Sequence, residues 1–203
     1  MKKKLLVALA SIAIAVPAFS SPIAEGNTVL TTAPLQINGL FFGGDAYDDK
    51  DFGDDGEIKM ALTEGPMQLE YFVMDAVSLG GLVQLQYPMD SDAEMAWRFG
   101  LVGTYYHDLG TGMMPFVTAG LSYADIGETA VEGPKGPIAA EGNITSIFIQ
   151  PGVSMMITDN VAAYGALDMQ YNIYDTEDVG TGATLVDDDG FQLGLNVGVK
   201  AFF

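Results

Sequence analysis

Past residue 34 the apolar residues of this chain recur at every second position. Between Val77 and Tyr87 the odd positions are Val77, Leu79, Gly81, Val83, Leu85 and Tyr87, and the even ones are Ser78, Gly80, Leu82, Gln84 and Gln86. Met95 to Tyr105 and Phe191 to Phe203 alternate in the same way. A period of two marks a strand with one apolar and one polar face. Eight such strands are predicted, at 35–44, 57–72, 76–87, 94–106, 114–123, 144–157, 161–172 and 191–203. The second loses phase near Gly65-Pro66, where a β-bulge restores the register and tolerates the proline. Pro151 falls inside the sixth strand with no change of phase. The segment 21–34 reads as a short polar lead-in, leaving 35–203 as one antiparallel, up-and-down, all-β unit.

The connections alternate in length. Long ones are predicted at 45–56, 88–93, 124–143 and 173–190. The others are Val73-Met74-Asp75, the stretch from His107 to Met113, and Thr158-Asp159-Asn160. Long loops at one end and mostly short turns at the other fit a transmembrane barrel. A sheet can lie in lipid only if closure removes its unpaired edges. Eight strands leave an interior just wide enough for side chains.

Which face is oily is a separate question. A soluble barrel hides its apolar face inside and shows water a charged one. Here the polar faces carry mainly Gly, Ser, Thr, Gln, Asn and Ala, which suits a narrow filled interior. Aromatic residues near strand ends, among them Tyr71, Phe72, Trp97, Tyr105, Tyr106 and Tyr171, are expected to form interfacial girdles. Strand parity places Glu70, Arg98, Asp168 and Lys200 on the inward face. Buried charges need partners. Depth suggests Arg98 with Asp168 and Glu70 with Lys200, or one network that includes Gln84, Gln150 and Gln170.

The first residues add an address. Met1-Lys2-Lys3-Lys4, an apolar run from Leu5 to Val16, and Pro17-Ala18-Phe19-Ser20 have the three parts of a secretory signal peptide. The run is too short to span a bilayer. Residues 1–20 are therefore expected to be removed after Ser20, with cleavage after Ala18 as the alternative.

The net charge is −19, from 27 acidic residues against 8 Lys and Arg. Such a chain is not expected to bind nucleic acid, which needs clustered Lys and Arg. Most of the acids fall in the long connections. The runs Asp48-Asp49-Lys50-Asp51-Phe52-Gly53-Asp54-Asp55-Gly56-Glu57 and Asp187-Asp188-Asp189-Gly190 offer oxygen ligands, so divalent cations are candidate weak partners there. Neither run has EF-hand spacing, and a solvated repulsive surface explains them as well. No cysteine is present. The single histidine, His107, falls in a turn beside Asp108, and no serine partner is marked for it. No catalytic residue, cofactor or metal site is expected.

Several features resemble the small eight-stranded outer-membrane β-barrels, the OmpA transmembrane-domain and OmpX-like superfamily. They are the turns Tyr71-Phe72-Val73-Met74-Asp75 and Ile157-Thr158-Asp159-Asn160-Val161, the stretch Gly103-Thr104-Tyr105-Tyr106 with Pro115-Phe116, and a last strand that alternates up to Phe203. The resemblance covers roughly 35–203. It implies an outer-membrane location with both termini periplasmic, outer-membrane lipid and lipopolysaccharide as surroundings, and recognition by the assembly machinery through Phe203. Relatives with a peptidoglycan-binding domain continue past the last strand, and this sequence stops at Phe203, so that activity is not expected. The role it implies is structural or surface interaction, with a narrow channel as the alternative. Some members catalyse lipid hydrolysis, acyl transfer or proteolysis, so a lipid-modifying enzyme is the second alternative.

Overall fold

The computed structural model describes residues 21–43, 61–63, 65–86, 96–125, 129–133, 136–178 and 184–203. The leader, the run Asp48–Glu57 and the connection 88–93 lie outside the described residues. Ten strands are present among the described residues: β1 Thr28–Gly43, β2 Ala61–Thr63, β3 Met67–Met74, β4 Val77–Gln86, β5 Ala96–Tyr106, β6 Met113–Asp125, β7 Thr129–Gly133, β8 Gly136–Thr158, β9 Val161–Asp178 and β10 Thr184–Phe202. All pairings are antiparallel, and β1 pairs with β10 to close the sheet into a barrel. β2 and β3 both pair with β1 on its other edge, at Ile37↔Leu62 and Leu30↔Leu69. They are two parts of one stave, interrupted at Gly65-Pro66, and β7 continues the stave of β6, pairing with β8 beyond Asp125↔Asn143. The barrel therefore has eight staves. At the interruption the Gly65 N–H donates to Ala33 O at 2.8 Å, so the break leaves that donor satisfied.

The oily face points outward. Leu69, Leu79, Phe99, Leu101, Leu121, Ile147, Ile149, Met155 and Ile157 are exposed, Leu101 by 73%. Their strand neighbours Gln68, Glu70, Ser78, Thr104, Ser122, Gln150 and Ser154 are buried. A water-soluble protein does not surround itself with such a belt. Lipid is the solvent that this pattern suits, and the closed backbone meets its demand for internal hydrogen bonds.

Two sequence expectations change, and a third feature finds its explanation. First, β1 begins at Thr28, so 28–34 is barrel and not lead-in. Its outward face alternates weakly, with Thr32 among the apolar residues. Its register with β10 also shifts between Thr32 and Leu35, which breaks the period. Second, β8, β9 and β10 are 23, 18 and 19 residues long, whereas crossing a bilayer takes roughly 9–11. Much of 124–143 and 173–190 is therefore strand. Asp125, Glu132, Glu141, Asp175, Glu177, Asp178 and Asp187 to Asp189 sit on strands that continue beyond the apolar belt. Gly133 pairs with Gly136, inside what was predicted as the long connection 124–143. Third, Pro151 lies where the β8–β9 ladder lapses, between Ile149↔Met169 and Gly152↔Ala166. Lacking an N–H, proline fits such a gap.

At the short-turn end the chain folds under the barrel. Gly26 N–H donates to Phe72 O and Ala76 N–H to Ile23 O, at 2.9 and 2.8 Å. Ala76 takes a positive φ of 65° to make its turn. Thr28 and Phe203 exchange both backbone hydrogen bonds at the seam, at 3.0 and 2.8 Å.

Candidate functional site

The barrel interior has three layers. Nearest the short turns is an apolar cluster that includes Ile23, Val29, Phe72, Tyr106, Phe116, Tyr164 and Phe202. Phe72 and Tyr106, expected in a lipid-facing girdle, are fully buried. They have the parity of the inward charges Glu70 and Arg98 on their own strands. Tyr71, Tyr105 and Tyr171 do face outward and are exposed, as a girdle requires. So does Phe99, which stacks on Trp97 with ring centroids 5.1 Å apart.

Glycine makes room for the inner rings. Phe116 lies directly opposite Gly152, Phe148 opposite Gly120, and Tyr164 opposite Gly198. A Cβ at Gly120 would stand 2.4 Å from Phe148 Cζ, and one at Gly152 would stand 2.5 Å from Phe116 Cζ. Each ring thus occupies the space that a facing side chain would need.

Above this cluster lies Lys200, 1% exposed. Its ammonium donates to the Tyr106 hydroxyl at 2.9 Å. It also sits 3.9 Å from the ring centre of Phe116, 4.8 Å from that of Tyr106 and 5.3 Å from that of Tyr164. Three π-faces around a desolvated cation stabilise it by about 2 kcal/mol or more. Glu70, equally buried, accepts from the Ser78 hydroxyl at 2.8 Å. The pair suggested by depth, Glu70 with Lys200, is therefore not a direct contact.

Asp168, also 1% exposed, is held by amides. Gln36 and Gln150 each donate to it at 3.0 Å, and Gln170 donates as well. Arg98 donates through Nε to Ser122 Oγ at 2.8 Å and through Nη2 to Gln170 Oε1 at 3.4 Å. Its guanidinium carbon lies 5.6 Å from the Phe148 ring centre. Arg98 and Asp168 are thus linked through Gln170, in a network and not as an ion pair. A carboxylate with three neutral donors needs no cation in contact, because the amides replace its hydration shell.

Toward the long-loop end the interior opens into a cup of about 170 Å³, whose lining includes Gln36, Gln84, Arg98, Gln170, Asn172 and Gln192. Asn172, 4% exposed, donates through Nδ2 to the Tyr174 hydroxyl and to Gln192 Oε1, at 3.1 and 3.3 Å. Its Oδ1 is buried and has no hydrogen-bond partner among the described residues. Tyr174 and Gln192 did not stand out in the sequence. The even-position parity of β9 would have aimed Tyr174 inward had the strand been continued past 172.

His107 is exposed, and its backbone N–H donates to Pro115 O at 2.8 Å. Asp108 instead accepts from the Gly110 N–H at 2.7 Å, so it shapes the turn and does not orient the imidazole.

Neither a protein-family model nor a curated protein matches this sequence. Solved structures do match its shape. Outer membrane protein AlkL, determined in lipid bilayers, aligns over 93% of this chain and 95% of its own, with a TM-score of 0.53 and 15% identity. Neisserial surface protein A aligns over 87% and 97% at 15% identity, TM-score 0.49. The N-terminal β-barrel domain of Pseudomonas aeruginosa OprF aligns over 88% and 98% at 16% identity, TM-score 0.45. At such identities the likeness is one of fold. The chain has the fold of the small outer-membrane β-barrels.

Proposed function

We propose that this chain is an integral outer-membrane barrel whose lumen is closed by its own side chains, acting in a structural or surface-interaction role at its acidic long-loop end. One observation carries the closed lumen: the ring of Phe72, Tyr106, Phe116, Tyr164 and Phe202 packed around and beneath Lys200. An ion crossing that layer would leave water for an aromatic interior. The segment from Ser21 to Asn27, with Ile23 buried, backs the layer from below. Purified protein in planar bilayers is expected to show no steady single-channel conductance. Steady conductance that Asp168→Ala leaves unchanged would establish the narrow-channel reading instead.

In this reading residues 1–20 direct secretion, and outer-membrane lipid and lipopolysaccharide surround the belt. The assembly machinery meets β10 and the Phe203 that follows it, which completes the seam with Thr28. The short turns lie on the periplasmic side with both chain ends, and the long connections lie outside the cell. Topology has a direct test. An epitope inserted between Pro134 and Lys135, in the sequence that joins β7 to β8, is expected to bind antibody on intact cells. Binding only after the outer membrane is breached would invert the orientation.

A further inference from the structure

We propose that the rim of the barrel at the short-turn end binds a soft monovalent cation, copper(I) in class, through Met113 and Met155 with His107 as the third ligand. The inference rests on the strand ladder and not on the closure of the lumen.

The ladder brings the three together. Met113 begins β6 and stands directly opposite Met155 of β8. Both side chains face outward, 42% and 57% exposed. Residues directly opposite on one face of an antiparallel pair have Cβ atoms about 4.5–5.5 Å apart. Two flexible thioethers at that spacing can close on one ion. The turn between β5 and β6 carries its own ladder further. The His107 N–H donates to Pro115 O at 2.8 Å, and the Leu109 N–H donates to Met113 O at 3.3 Å. His107 therefore stands diagonal to Met113, a separation of roughly 7–8 Å that aromatic and long side chains span. It continues the outward parity of Tyr105 and is exposed.

The turn is held in shape by the protein itself. The Met156 N–H donates to Gly112 O and the Gly110 N–H to the Asp108 carboxylate, at 2.8 and 2.7 Å. Gly110 and Gly112 take positive φ values of 67° and 77°. With Asp108 so engaged, the imidazole has no protein partner among the described residues. Ligands fixed in this way lose little freedom on binding.

Ligand type selects the ion. Thioether sulfur is soft and favours copper(I), and imidazole also suits copper. Ca²⁺ and Mg²⁺ take oxygen instead. Two thioethers and a neutral imidazole add no charge of their own, and the chain's net charge of −19 draws a cation in. A lipid belt by itself calls for neither paired sulfurs nor a histidine beside them. Met67 and Met74, also exposed, stand opposite Val83 and Val77, so they are internal controls.

Silver(I) is the probe, since it shares the ligand preference of copper(I) and is stable in air. The untagged mature barrel, with carbon-13 in its methionine methyl groups, is refolded in phosphocholine micelles in chloride-free buffer and titrated with silver nitrate. His107 is the only histidine of the chain, so its ring signals are unambiguous. The methyl signals of Met113 and Met155 and the His107 ring signals are expected to shift together and saturate at one equivalent, while those of Met67 and Met74 stay in place. Met155→Leu keeps an outward apolar side chain of similar volume, so the barrel folds, and silver should bind it at least tenfold more weakly. Excess Ca²⁺ should displace nothing. Met67 and Met74 shifting in step with Met113 would reduce the effect to the general affinity of thioethers and overturn the proposal. So would movement of the His107 ring alone, the absence of any saturable shift, or wild-type affinity in Met155→Leu.

Discussion

Asp168→Ala is expected to destabilise the barrel by roughly 3–5 kcal/mol in urea unfolding from lipid vesicles, the range for removing one member of a buried charged network. The loss has two parts. Gln36, Gln150 and Gln170 each lose the oxygen to which they donate, and an unsatisfied buried donor costs about 1–3 kcal/mol. Arg98 loses the negative charge that Gln170 links to it. Water entering from the cup lowers the total below the sum. Asp168→Asn keeps one acceptor oxygen, so about half the loss is expected. A change under about 1 kcal/mol for Asp168→Ala, well below the range for such networks, would mean that the amides find other acceptors.

Gly198→Val is expected to abolish refolding altogether. A Cβ at that position would lie 1.9 Å from Thr32 O and 2.8 Å from Tyr164 Cε1. The first neighbour is backbone of the seam strand β1 and cannot rotate away. The second is a ring of the Lys200 cage. Closing the barrel over a valine would force β1 and β10 apart where the ladder must be continuous. Gly165→Ala is the matched control. It lies on β9, exposed, and nothing stands within 4 Å of an added Cβ. There alanine should be neutral or stabilising by about 0.5–1 kcal/mol, the usual strand cost of glycine. Normal refolding of Gly198→Val would show that the inner face has slack that the packing denies.

Strand periodicity carried most of the architecture in plain sight. The belt residues Leu79, Leu101, Ile147 and Val199 needed only the alternation, and the slip at Gly65-Pro66 announced the break between β2 and β3. Two kinds of information were hidden. Parity gives a side chain its direction but not its neighbours, because the stagger between staves sets depth. Lys200 thus met Tyr106, Phe116 and Tyr164 where Glu70 was the partner suggested by depth. Acid-rich sequence also looks like loop even when it is strand. Asp175 and Asp189 continue β9 and β10 past the bilayer, where the outward face no longer needs to be apolar, so the pattern fades while the hydrogen-bond ladder persists. The cup went partly unseen for the same reason, since Tyr174 belongs to the extension of β9, whereas Gln192 already lay within the predicted strand 191–203. Phe72, Tyr106 and Phe202 were a different matter. Each shares the parity of an inward charge on its own strand, and that signal was legible.

The most direct measurement uses the absence of cysteine. Single cysteines placed along β9 at 165 to 173 and spin-labelled in lipid vesicles report contact with oxygen, which partitions into lipid, and with a water-soluble nickel chelate. The expected pattern has a period of two. Labels at 165, 167, 169, 171 and 173 meet oxygen, while those at 166 and 168 meet neither reagent. Nickel access at the odd positions would contradict a lipid-facing belt, and nickel access at 166 and 168 would contradict a lumen closed by its own side chains.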